Sequence, residues 1–231
     1  TASVSLSGLS GLVGTETLGV SAAGSFDTKN AGTGKTVTVN SVALQDGANG
    51  GLASNYQLAS GQTATADIAR ATLSVSGSIA ANKTYDGTST AVITTGTLSG
   101  FIGSEKVSAS ARGNFDSKNA GVRAATAIYT LGDDSVSGGL SGGLAGNYTL
   151  SDKSLLSATI AQRAASNWIA GTTGTWSNPA NWDALPDRAN VLDVAIPAGV
   201  TVQFDIGAGA TQLRSLTSAG TLNLTGGSLA V

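Results

Sequence analysis

Residues 24–32 read GSFDTKNAG and residues 113–121 read GNFDSKNAG. Two near-identical nonapeptides 89 residues apart restrict the fold more than any other feature, because they imply one supersecondary unit built twice. The offset holds around them. Leu9-Ser10-Gly11 matches Leu98-Ser99-Gly100, and Gly14-Thr15-Glu16 matches Gly103-Ser104-Glu105, which contain the only two glutamates in the chain. Asn55-Tyr56 then matches Asn147-Tyr148, and Ile68 matches Ile160, both at an offset of 92. A three-residue insertion in the glycine-rich stretch SGGLSGGLAG (137–146) accounts for the drift. The chain therefore divides at sequence level into residues 1–70, 71–164 and 165–231. The second copy opens with NKTYDGTST (82–90), which the first lacks. The first copy should then carry an open sheet edge, a liability for pairing between molecules. The sequence starts in mid-pattern, with no signal peptide at Thr1, and reads as part of something longer.

Within each copy the hydrophobic period is two. Val37 and Val39 alternate with Thr36 and Thr38, Val107, Ala109 and Ala111 alternate in KVSASARGNF (106–115), and Leu73 and Val75 alternate in ATLSVSGSI (71–79). Such alternation marks strands with one buried face. No amphipathic helical pattern is present. The repeated Phe26-Asp27 and Lys29-Asn30, with Phe115-Asp116 and Lys118-Asn119, read as a structural turn between two strands. Asp27 is placed to cap a single helical turn, and Gly32 to end it in the left-handed region. Tyr85-Asp86-Gly87 reads as an Asp-Gly turn beside a large apolar body with a polar tip. An aromatic ligand contact is the alternative reading of Tyr85. Tyr56 and Tyr148 follow the matched asparagines as further structural positions.

These segments, KTYDGTSTA, L-S-G-x-x-G-[ST]-E, FD-[ST]-KNAG, NY-x-L and I-A-x-R, occur in order over about residues 1–164. Together they resemble the YDG repeat, related to the MBG repeat, of filamentous-haemagglutinin-like bacterial exoproteins. That resemblance implies mainly β modules, β-grasp-like or β-sandwich-like, in a stalk of a cell-surface adhesin exported by two-partner secretion. It brings no catalytic residue.

Composition shifts after Arg163. All three tryptophans (Trp168, Trp176, Trp182) and all three prolines lie beyond it. TGTWSNPANWDALPDRANVLDVAIPAGVTVQF (173–204) resembles the opening that precedes β-solenoid regions in bacterial surface proteins. Val191, Asp193 and Ala195 alternate with Leu192, Val194 and Ile196. Leucines recur between glycines to the end of the sequence, which fits the start of a parallel β-helix. The tryptophan loop reads as a hydrophobic cap on the first rung. Its alternative is a glycan-binding surface formed by Trp168, Trp176 and Trp182.

Composition also removes chemistries. Histidine and cysteine are absent, so Ser-His-Asp and Cys-His constellations and zinc sites with N or S ligands are impossible. The missing thiols suit export in an unfolded state, and also suit plain compositional drift. Net charge is −2 and only 11% of residues are charged, which leaves no basic footprint for nucleic acid or anionic membrane. No apolar run is long enough to span a bilayer as a helix. Asp133-Asp134 forms the one adjacent carboxylate pair, but without EF-hand spacing, so calcium is not expected. Neither a P-loop nor a dinucleotide fingerprint is present, GTGK (32–35) being too short. A polysaccharide-cleaving site would require Asp183, Asp187 and Asp193 to meet in an open cleft. Sequons stand at Asn82, Asn147 and Asn223. Lys29 with Asn30, and Lys118 with Asn119, are candidates for a Lys–Asn crosslink assisted by Glu16 or Glu105. The expected protein is mainly β, not an enzyme, without cofactor or metal, extracellular on a bacterial surface, and supports cell adhesion or biofilm matrix. Its expected partners are host-cell or matrix glycans or another copy of the adhesin, with no nucleic acid and no membrane insertion.

Overall fold

The computed structural model describes residues 2–4, 8–59, 61–134, 142–151 and 153–231. The glycine-rich insertion lies over 137–141 outside the described residues. Among the described residues the chain is mainly β, with 3-10 turns at Ala53–Asn55, Ala145–Asn147, Pro179–Asn181 and Ile206–Ala208 and no α-helix. Two compact units form: Thr1–Leu73 with Gly100–Ser108 and Gly132–Thr149, and Ser74–Ser99 with Ala109–Leu131 and Leu150–Val231. Residues of the second sequence copy contribute to both.

The first unit is built on an antiparallel sheet of Ala2–Val4, Leu18–Phe26, Gly32–Asp46 and Thr63–Ile68, in that spatial order. Val37 and Val39 are buried while Thr36 and Thr38 face out, as period-two alternation requires. A bulge falls between Ala23 and Gly24. Glycine is needed there, because a Cβ on Gly24 would stand 2.9 Å from the Thr38 carbonyl oxygen and 2.9 Å from Val4 Cγ2. The outer strand Thr63–Ile68 is mostly exposed, and its far side has no strand partner among the described residues.

The second unit contains a sheet with the spatial order Lys83–Thr84, Lys153–Ala161, Gly121–Gly132, Ser108–Phe115, Thr90–Ala91. The last four strands run through the same order as the first unit's sheet. The extra one pairs parallel with Ile160 and Ala161, and Tyr85 N donates to the Ala161 carbonyl at 2.9 Å. Ala125, Ala127 and Tyr129 alternate inward, with Phe115, Ala158 and Ile160 beside them in the core.

Beyond Arg163 every paired strand within the segment runs parallel. Arg163–Asn167, Val191–Ile196 and Ser215–Ser218 form one sheet. Thr173–Thr175, Thr201–Phe204 and Thr221–Leu224 form the second, and Ala210–Gln212 with Ser228–Ala230 the third. Val194 stands opposite Leu216 and Val202 opposite Leu222, so like side chains stack from one strand to the next. Trp176, Val202, Phe204, Val194 and Ile196 fill the interior. The buried polar residues Ser166, Asn181, Asn190 and Thr211 are all hydrogen-bonded, which matters because an unpaired polar group there would cost roughly 1–3 kcal/mol.

Three expectations need correction. Neither repeated turn is helical: residues 27–31 and 116–120 are bends. The Asp27 carboxylate accepts from the next amide, Thr28 N, at 2.8 Å, while Thr28 Oγ1 accepts from Asn30 N at 3.4 Å and Ser117 Oγ from Asn119 N at 3.2 Å. These side-chain bonds replace the backbone bonds a helical turn would use. Gly32 begins a strand, and the left-handed glycine that follows the first turn is Gly34. In the third segment Val191 is buried together with Val194 and Ile196 rather than on the opposite face, because it enters the strand from the buried corner residue Asn190.

Candidate functional site

The two KNAG turns project from the ends of paired strands and each reaches a later part of the chain. In the first, the Lys29 ammonium pairs with the Glu105 carboxylate. Ala31 N donates to Asn147 Oδ1 at 2.9 Å, and Asn147 Nδ2 donates to Asn30 Oδ1 at 3.1 Å. In the second, the Lys118 ammonium lies 3.2 Å from the Asp187 carboxylate. Ala120 N donates to Asn190 Oδ1 at 2.7 Å, and Asn190 Nδ2 donates to Asn119 Oδ1 at 3.0 Å. The same three donor–acceptor relations recur, atom for atom, against unlike receiving sequences. A lysine meets a carboxylate, and an alanine amide with an asparagine carbonyl grips both ends of one partner side-chain amide. That partner amide is held at its oxygen and its nitrogen at once, so only Asn or Gln satisfies both.

Each receiving carboxylate is fixed by a tyrosine. Tyr148 Oη donates to Glu105 at 2.8 Å and accepts from Ile102 N at 3.3 Å. The first copy repeats this latch: Tyr56 Oη donates to Glu16 at 2.5 Å and accepts from Val13 N at 3.0 Å. In each copy a 3-10 turn, Ala53–Asn55 or Ala145–Asn147, ends on the asparagine and has the tyrosine as its C-cap. Those turns are seated by carboxylates, Asp46 accepting from Ala53 N and Asp133 from Ala145 N, each at 2.7 Å. For the carboxylate in the third segment, Tyr85 of the second copy takes the tyrosine's part, donating to Asp187 at 2.9 Å, while Asn190 Nδ2 donates to the same carboxylate oxygen at 2.6 Å.

The electrostatics follow. The Lys29 bond, then the Tyr148 hydroxyl, hold the Glu105 carboxyl below its ordinary value. Burial first, then the charge of Asp187, pushes the Tyr85 phenol up. Burial and the neighbouring Glu105 carboxylate push the Tyr148 phenol up as well.

The side chains of the YDG tripeptide are engaged by neighbouring residues. Burial works against charge on Asp86, but the Lys83 ammonium at 2.7 Å and the Thr88 amide and hydroxyl, each at 2.9 Å, outweigh it and hold its carboxyl low. Gly87 supplies a φ of 79°. Phe115 is buried, with the Lys83 ammonium 5.8 Å from its ring centre. Phe26 is half-buried, Asp27 and Asp116 are exposed, and their amides close the adjoining strand pairs on Thr36 and Ala124.

Trp168, Trp176 and Trp182 come together with ring centres 5.0 and 4.8 Å apart, and Phe204 lies 5.0 Å from Trp176. Trp176 is 0% exposed, Trp182 3% and Trp168 7%. Each indole N–H donates to a backbone carbonyl, of Gly171, Pro186 and Trp176 respectively for Trp168, Trp176 and Trp182. A sugar would find no open indole face. Asp183, Asp187 and Asp193 do not share a cleft: Asp183 is held by Arg163, Ser166 and Asn167, Asp193 by Arg214 and Ser215, and Asp187 belongs to the clasp. Among the described residues no cluster of three carboxylates could hold a metal ion. The amines of Lys29 and Lys118 sit in ion pairs, the first of them largely exposed. The sequon residue Asn147 is occupied within the clasp.

Sequence reasoning singled out the lysine and asparagine of each turn but not what they hold. The paired glutamates and the paired Asn-Tyr were visible at matched positions and were a signal for one receiving face. Asp187 and Asn190 lie in a segment with no similarity to the repeats, and nothing in the sequence marks them as the second.

A family model described as YDG domain matches residues 1–66 and again residues 69–155. No curated protein and no solved structure matches the chain.

Proposed function

We propose, from the premise that this chain belongs to the YDG domain family, that it is a structural stalk segment of a secreted bacterial cell-surface adhesin. Two tandem YDG-type domains lead into the first rungs of a β-solenoid, and the segment holds an adhesive or matrix-forming region away from the cell. Filamentous-haemagglutinin-like architecture and export by two-partner secretion belong to the same proposal. The observation that carries it is the repeated clasp. One turn type, used twice, secures whatever follows it, and its chemistry is fully spent on the chain itself. A stalk needs joints of this kind.

The reading is tested by small-angle X-ray scattering on the full chain. A compact body of 231 residues would have a radius of gyration of about 17 Å. A stalk should give a clearly larger value with the cross-section of a rod, and a value near that of a sphere would overturn the proposal. A glycan array read with tryptophan fluorescence separates the rival glycan-binding reading: the stalk expects a flat response, and saturable quenching transfers the function to the tryptophan region.

A further inference from the structure

The clasp has a giving half, Lys-Asn-Ala of the turn, and a receiving half, a tyrosine-latched carboxylate beside an asparagine. Both giving halves are engaged. Among the described residues the receiving halves number one more than the giving ones. Glu16, Asn55 and Tyr56 occupy the positions that Glu105, Asn147 and Tyr148 occupy in the second copy, with the same hydroxyl-to-carboxylate bond and the same amide donated to the hydroxyl. Among the described residues no cation pairs with Glu16, and the side-chain amide of Asn55 has no hydrogen-bond partner. Asn55 is exposed where Asn147 is half-buried, and Tyr56 is half-buried where Tyr148 is buried. The uncovered side is that on which Lys29, Asn30 and Ala31 cover the second copy.

We infer that Glu16, Asn55 and Tyr56 are a docking face for the Lys-Asn-Ala-Gly turn of a further YDG-type module. The specificity lies in three features. The carboxylate takes the lysine. The asparagine side chain accepts from the alanine amide and donates to the turn's own asparagine. The tyrosine keeps the carboxylate aimed, as it does in the occupied face. An acidic residue in place of Asn55 could not donate, and a lysine could not accept, so the face discriminates by hydrogen-bond polarity rather than by charge alone. The inference deepens the stalk reading by naming the partner, and rests on it in that modules must follow one another.

The repeat offset supplies the test. Residue 1 corresponds to residue 90, so placing a second copy of residues 1–89 directly ahead of Thr1 restores the natural register and retains the whole chain. In this lengthened chain the Ala31 amide of the added copy should bond to Asn55 Oδ1. Hydrogen exchange should show that amide slowed roughly fivefold to tenfold relative to the same lengthened chain carrying Asn55→Ala. In the 231-residue chain, Asn55→Ala should leave the melting temperature unchanged, whereas Asn147→Ala should lower it. An added copy whose Ala31 amide exchanges equally fast with and without Asn55, or which stays unfolded, overturns the inference. So does an Asn55→Ala effect of equal size in the two chains. Scattering on the lengthened chain keeps the two readings apart. A longer rod without protection at Ala31 sinks the clasp and leaves the stalk, and protection within a rounder particle sinks the stalk and leaves the clasp.

Discussion

Tyr85 shows how much a single hydroxyl is asked to do. The residue is 1% exposed, its backbone amide extends a sheet, and its hydroxyl holds the carboxylate that Lys118 pairs with. A phenol pushed above its ordinary value near 10 binds its proton more tightly in the folded chain. Its stabilising contribution is therefore whole below about pH 10 and is lost as pH rises beyond that. Glu105 works the other way. Its depressed carboxyl contributes fully above the ordinary value of 4.5, and the contribution is lost as pH falls below it. Tyr85→Phe should lower the melting temperature at neutral pH by about 2–4 °C, the equivalent of one hydrogen bond in a chain of this size. The same variant should flatten the alkaline decline above pH 10, leaving the part that Tyr148 and Tyr56 supply, whose phenols are also raised. Thermal melts from pH 3 to 11 check both limbs, and an unchanged alkaline limb would refute the role given to the hydroxyl.

At the scale of elements, the outer strand Thr63–Ile68 lacks, among the described residues, the neighbour that Lys83–Thr84 provides to Lys153–Ala161. Residues 82–89 placed directly ahead of Thr1 should pair with Ile68 and Ala69, bury a tyrosine, and raise the melting temperature by about 3 °C or more. Differential scanning calorimetry on the two chains decides it, and no increase would show that the edge needs no cover. Strands of this kind were legible in the sequence because their cause is local: Val37 and Val39 declare an inward face within three residues. The turns were legible as repeats but misread in shape. The Thr28 and Ser117 hydroxyls compete with backbone bonding over two residues, and composition alone does not say which wins. The clasp was legible by half. Its receiving residues lie 70 or more positions away for Asn119 and Asn190, and 117 for Asn30 and Asn147, a separation that no local pattern encodes. The buried tryptophans declared themselves apolar, yet only their packing decides between a cap and an open binding surface.

For the molecule as a whole, the low content of charge sets its response to solvent. Charged residues make up 11% of the chain, and the ion pairs of Lys29 with Glu105, Lys83 with Asp86 and Arg214 with Asp193 are each at least half exposed on one side. Exposed pairs contribute about 0–1 kcal/mol each and are screened by salt, while apolar burial is not. Raising sodium chloride from 0.05 to 1 M should therefore shift the melting temperature by no more than about 2–4 °C. A collapse of stability in high salt, followed by circular dichroism, would mean that the clasps outweigh the cores.

One turn grips a glutamate and an asparagine in its own kind and an aspartate and an asparagine in a segment of foreign sequence. A plug that accepts two unlike sockets frees the genes that encode it. In the stalk proposed above, units could then be duplicated, deleted or capped with a different end piece by recombination without redesign of the junction, so length would become a quantity that evolution can change in single steps.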